Sequence, residues 1–107
     1  MNDEAGVVMI SAPPPAAESL ARILVEGRAA ACAQIIPRIV SVYRWEGSVH
    51  TDEEALLVVK TLKSKLGQIR AILKENHPYE LPELVFLPVT DGLQEYLDWI
   101  RDSVSPV

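Results

Sequence analysis

Cysteine is almost missing: the chain has one, Cys32, among 107 residues. An intramolecular disulfide is therefore excluded, and a reducing, cytoplasmic setting is expected. Clustered positive charge is missing too. Ten Lys and Arg stand against fifteen Asp and Glu, for a formal charge of -5, and no basic run exceeds two residues. Nucleic acid is not an expected partner, because its phosphates call for a basic stripe. The five glycines are scattered, so no Gly-rich strand-to-helix turn is available to cradle phosphate. Cys-x-x-Cys, His-Glu-x-x-His and EF-hand spacings are absent, and no Gly-x-Ser-x-Gly elbow marks a nucleophile. No apolar run approaches the ~20 residues of a membrane span, so a membrane is not an expected partner. The start Met1-Asn2-Asp3-Glu4 is acidic, and the apolar run at 7–10 is far too short for a secretory signal.

What the chain does have is apolar character, at 49% of residues. The length fits one domain over residues 1–107. A body this small buries roughly two-thirds of its unfolded surface. The apolar excess suggests that a partner chain covers some of the rest.

The run Val7-Val8-Met9-Ile10 suits a strand buried on both faces. Pro13-Pro14-Pro15 lack amide donors and belong to a loop or a helix entry. Over residues 16–28 the period becomes helical, with Leu20, Ile23, Leu24 and Gly27 on one face. Gly27-Arg28 is its expected frayed end. Residues 30–36 and 39–45 read as one long strand kinked at Pro37. In its second half Ile39, Ser41, Tyr43 and Trp45 share a face, and Val40, Val42 and Arg44 share the other. Glu46-Gly47-Ser48 signals a turn, residues 51–54 are polar, and residues 55–62 return as a strand, giving an overlong hairpin.

Ser64 is the expected N-cap of a second helix, with Leu66, Ile69, Leu73 and Asn76 at helical spacing. That helix must stop near His77, because Pro78 disfavours helical geometry in its predecessor. Residues 84–89 form a short strand. Asp91 and Gln94 make a capping-box-like pair for a last helix, with Leu93, Leu97, Ile100 and Val104 on its apolar face and a frayed tail at 105–107. The fold class is therefore α+β. The order β-α-β-β-α-β plus a terminal helix predicts a ferredoxin-like antiparallel sheet with helices on one face.

Candidate chemistry is sparse. Thiolate and imidazole suit copper or zinc, which singles out His77 and Cys32. Met9 reads as core and His50 as solvated surface. His77 ends a helix, where the carbonyl-end dipole favours an imidazolium. It also stands beside Tyr79, Glu80 and Glu83, which together could bind a metal or small ligand, or form an inter-subunit hydrogen-bond set around a rigid turn. Trp45-Glu46 is the other polar and aromatic spot. The one group of titratable residues in mutual reach serves no evident reaction, so an enzyme is not expected.

Three stretches then fall into a recognisable order: RAAACAQIIP at 28–37, SVYRWEG at 41–47 and HPYELPE at 77–83. With YLDWI at 96–100, they resemble the CutA family, the divalent-cation tolerance proteins, over nearly the whole chain. The resemblance implies a ferredoxin-like protomer in a tight homotrimer whose long hairpins pair with a neighbour's sheet. It implies binding of copper or another divalent cation, a response to metal ions and no organic cofactor. The ligand places of some members fall at Ile10, which cannot ligate, at Asn76, a poor copper ligand, and at His77, the one that is kept, while Cys32 matches a family cysteine. The trimer also resembles PII-type signalling proteins. That layout implies an alternative role as a scaffold using inter-subunit clefts, with Trp45, Glu46, Tyr79, Glu80 and Glu83 as lining.

Overall fold

A computed structural model describes residues 3–106. Its strands and helices run β1 (Ala5–Ala12), α1 (Ala17–Glu26), β2 (Cys32–Trp45), β3 (Ser48–Leu62), α2 (Leu66–Asn76), β4 (Val85–Pro88) and α3 (Gln94–Val104). The strands form one antiparallel sheet in the order β2-β3-β1-β4. Each β-α-β unit crosses over a strand that the other unit supplies, which is the ferredoxin-like arrangement.

The apolar run in β1 does not become a strand buried on both faces. Burial alternates instead, as a period of two requires. Val8, Ile10 and Ala12 pair with Val59, Leu57 and Ala55 on one face. There they meet Leu20 and Leu24 of α1 and Ile69 and Leu73 of α2 to make the main core. Val7, Met9 and Ser11 stand on the opposite face and are only half-buried. Met9 is thus not the core residue its position suggested.

The third helix corrects the expectation of helices on one face. Ile100 and Val104 pack with Ala31, Leu62 and Ala5. Ala5 pairs with Leu62, and alternation puts that pair on the face of Val7 and Met9. So α3 covers one end of the second face and leaves the rest open. Arg28, at φ 58°, ends α1 and is not frayed. Its guanidinium donates to the carbonyls of Ser103 (3.3 Å) and Ser105 (3.2 Å), where the carbonyl end of α3 attracts positive charge. Ser105 is held as well, its hydroxyl donating to Arg101 O at 2.8 Å. Val107, the last residue of the expected frayed tail, lies outside the described residues, as do Met1 and Asn2 of the acidic start.

Helix starts also differ from the sequence reading. Ser64 does not cap α2. A short 3-10 turn, Lys63–Lys65, precedes that helix, and Ser64 gives both its amide and its hydroxyl to Asp3. Asp91 accepts from the amide of Gly92, while α3 begins three residues later. The His77 stop stands as read, with the residue extended at ψ 134°. Pro37 sits in the register break of the long hairpin, between Ile36 and Ile39.

Gly6 is a close-packing point. A Cβ there would overlap the Phe86 ring and lie 2.7 Å from the carbonyl oxygen of Leu87. Because β4 is held to β1 at this place, backbone must move. Gly6→Ala is expected to cost about 1–3 kcal/mol, as overpacked sites do. Urea unfolding measures it, and a change within a few tenths of neutral would show that β4 yields freely.

Candidate functional site

The site grows from hairpin register. β2 and β3 run past the body of the molecule, whose longest dimension is 43 Å. Beyond the Pro37 break, Ile39 faces Glu54, Ser41 faces Asp52, Tyr43 faces His50 and Trp45 faces Ser48. Alternation places these on the same face as Ser11 and Leu56, which is the open face of the sheet. The loop after α2 then folds across it. Tyr79, Glu80, Leu81, Pro82 and Glu83 form one wall of a cavity of about 780 Å³, and Ser11, Ser41, Tyr43, Trp45, Asp52 and Glu54 form the floor.

One phenol ties wall to floor, and a second braces the floor. The Tyr79 hydroxyl donates to Glu54 Oε2 at 2.7 Å, and the Tyr43 hydroxyl donates to Asp52. Both tyrosines are pushed above the usual phenol range. For Tyr79, burial is the main cause, followed by its hydrogen bond to Glu54 and the nearby negative charge. For Tyr43, the hydrogen bond to Asp52 leads. Each therefore stays a protonated donor at neutral pH. Tyr43 also stacks on His50, with ring centroids 5.6 Å apart.

His77 fixes the wall from behind. Its Nδ1 accepts the amide of Tyr79 at 3.1 Å, and Nε2 lies 2.8 Å from the carbonyl oxygen of Ser11. An acceptor Nδ1 carries no proton, so Nε2 must carry one and donate. The ring is buried at 8% exposure and packs on Tyr79, centroids 4.8 Å apart. His77 is thus a clamp between β1 and the cleft wall, with both nitrogens engaged.

Cys32 stands elsewhere. It pairs with Lys60, while Ser11 pairs with Leu56, four positions along β3. His77 and Cys32 therefore do not converge, and no group of three or more His, Cys, Asp or Glu suited to a metal ion occurs among the described residues. The donor set of one protomer does not fit a copper ion, which favours several nitrogen and sulfur ligands at once.

Of the residues singled out by sequence for a cleft, Trp45, Tyr79, Glu80 and Glu83 come together. Glu46 does not. It sits in the hairpin turn at φ 49°, outside the lining. Ser41, Asp52 and Glu54 were missed, and Tyr43 was placed on one strand face with Trp45 but not named for the cleft. Residues 51–54 look like a polar loop, yet β3 begins at Ser48. The available signal was register. Counting back from the Glu46-Gly47 turn puts Asp52 across from Ser41 and Glu54 across from Ile39.

A family model described as CutA1 divalent ion tolerance protein matches residues 6–103. The divalent-cation tolerance protein CutA of Thermus thermophilus is 45% identical over 100 residues, covering 92% of this chain and 97% of that protein. Its solved structure superposes with a TM-score of 0.90, at 44% identity. The chloroplastic protein CutA of Arabidopsis thaliana is 42% identical over 91% of this chain, which spans only 54% of that longer protein. The PII-like protein CutA from a Nostoc species, solved in apo form, gives a TM-score of 0.87 at 31% identity, covering 94% of this chain and 97% of that one.

Proposed function

The chain belongs to the CutA1 divalent ion tolerance family, and on that premise we propose a homotrimeric, PII-like binding scaffold. Its working site is the tyrosine-walled cleft, and its role in cation tolerance runs through a ligand of that cleft rather than through copper held by His77 and Cys32. The role is binding and not catalysis. One observation carries the reading: Tyr79, brought in by the loop after α2, closes onto the buried carboxylate of Glu54 in the hairpin and so joins two separate parts of the fold around one cavity.

Assembly is part of the proposal. Val40, Val42 and Val49 in the hairpin are 62%, 67% and 61% exposed, far more than a lone small domain would leave in one extension. β2 lies at the edge of the sheet, and a long apolar edge invites pairing with another chain. Copies of the same chain are the simplest cover, and the cleft would then open at a subunit boundary. The name of the Nostoc protein supports a PII-like layout. The single cysteine supports a reducing, cytoplasmic setting.

Nitrogen-15 spectra of the labelled protein against a protein-free cell extract test the site. The indole signal of Trp45 is expected to move, and that of Trp99, on α3, to stay. The shift should survive a chelator. Movement that a chelator abolishes, or none near Trp45, would contradict the cleft reading.

A further inference from the structure

The cleft wall is a strap fixed at its two feet. From His77 to Leu84 the chain forms neither helix nor strand. His77 is clamped to β1 through Ser11, and Leu84 packs against the main core. The residues between them, Pro78 to Glu83, are held far more loosely. They make no backbone-to-backbone hydrogen bond among the described residues. The Tyr79 amide reaches only His77, at the strap's own foot. One bond crosses to the rest of the fold, from the Tyr79 hydroxyl to Glu54 Oε2 at 2.7 Å. Pro78, Tyr79, Glu80 and Leu81 are otherwise exposed.

A loop packed tightly on both faces could not swing, because protein interiors are close-packed. This strap divides two hollows instead. Tyr79, Glu80, Pro82 and Leu84 line the cleft of about 780 Å³ on one side. The same four line a second hollow of about 270 Å³ against Arg70, Leu73 and Lys74 of α2. The strap therefore has open volume behind it as well as in front. Pro78 and Pro82 fix φ at two of its positions, which stiffens the piece. Bending is left to a few residues near the feet, as in other hinged loops.

We propose that residues 78–83 are a gate over the cleft, shut by the bond between Tyr79 and Glu54 and opened by a swing toward α2. This rests on the cleft reading above and adds how entry to the site is controlled. Glu54 suits the part of a catch. It belongs to β3, which the sheet holds in place, and it is buried at 7% exposure, so water competes poorly for the phenol.

Nitrogen-15 relaxation dispersion on the intact protein tests the gate, since loop closure of this kind falls between microseconds and milliseconds. Exchange is expected at the amides of Tyr79, Glu80, Leu81 and Glu83, and not at those of β1 or α1. Tyr79→Phe keeps the ring on His77 and removes only the hydroxyl. It should raise the open fraction about tenfold or more, the size of a lost phenol–carboxylate bond, and so move the strap signals toward their open positions. Glu54→Gln, which keeps an acceptor for Tyr79, should move them less. Strap signals that stay in place in Tyr79→Phe would overturn the gate. So would changes that spread equally through β1 and α1, which would make Tyr79 a general packing residue. If the Trp45 indole still responds to cell extract in either case, the cleft reading stands and only the gate falls. If it does not, both fall.

Discussion

His77→Ala is expected to destabilise the fold by about 2–5 kcal/mol and to leave affinity for copper where the unaltered chain has it. The magnitude follows from what the imidazole does. It accepts the Tyr79 amide and donates to the Ser11 carbonyl, and both partners lie in a shielded place. Truncation leaves two polar groups to find new partners, at about 1–3 kcal/mol each where water cannot replace the bond. The lost ring contact with Tyr79 adds to this. The effect should also reach the cleft, because Tyr79 loses its anchor and its hold on Glu54 loosens. Chemical unfolding gives the first quantity, and copper titration of both proteins gives the second. A variant of near-normal stability that has lost copper binding would make His77 a ligand and remove it as a clamp.

The second large effect concerns assembly. Val40→Glu combined with Val42→Glu is expected to break the proposed trimer into folded single chains. Both side chains lie on the hairpin extension, beyond the main core, and are largely exposed, so the protomer should keep its structure. Covering two carboxylates in an apolar contact costs several kcal/mol unless each is paired. A penalty of that order raises the dissociation constant by a hundredfold or more, at about 1.4 kcal/mol for each factor of ten. Circular dichroism should stay unchanged while the sedimentation coefficient falls. A double variant that still sediments as the parent does would place the contact elsewhere.

Much of this architecture could be read from residue patterns, and the reasons are local. Leu20 and Leu24 fall on one helical face, and both are buried. Pro37 cannot donate to a ladder, and the register breaks beside it. Pro78 forces its predecessor out of helical geometry, and α2 ends there. The errors share a different cause. Ser64 looked like a cap because nothing nearby in sequence competes for it, yet its partner is Asp3, just ahead of β1 and 61 residues away. The apolar run at 7–10 looked doubly buried because its own residues carry no sign of which face the helices choose. Glu54 looked like loop polarity because its meaning comes from Tyr79, 25 residues away. Likewise, His77 stood out correctly as important, but only its two partners reveal a clamp. Contacts set by long-range register were the part the sequence did not display.

The same reasoning connects the open sheet face with function. Val85 and Leu87 are about half exposed, as is Trp99 on α3. Together with the hairpin they leave an apolar surface that a solitary chain would hold against water. In the proposed trimer the assembled particle is the working unit, and the cleft is one of its boundaries.

Sedimentation equilibrium of the unaltered protein at micromolar concentration probes that claim most directly. The expected mass is about three times the 11.8 kDa of one chain, as association that covers apolar strand edges would give. A stable, folded species at 11.8 kDa would contradict the account, because the hairpin and the open face would then need no cover at all.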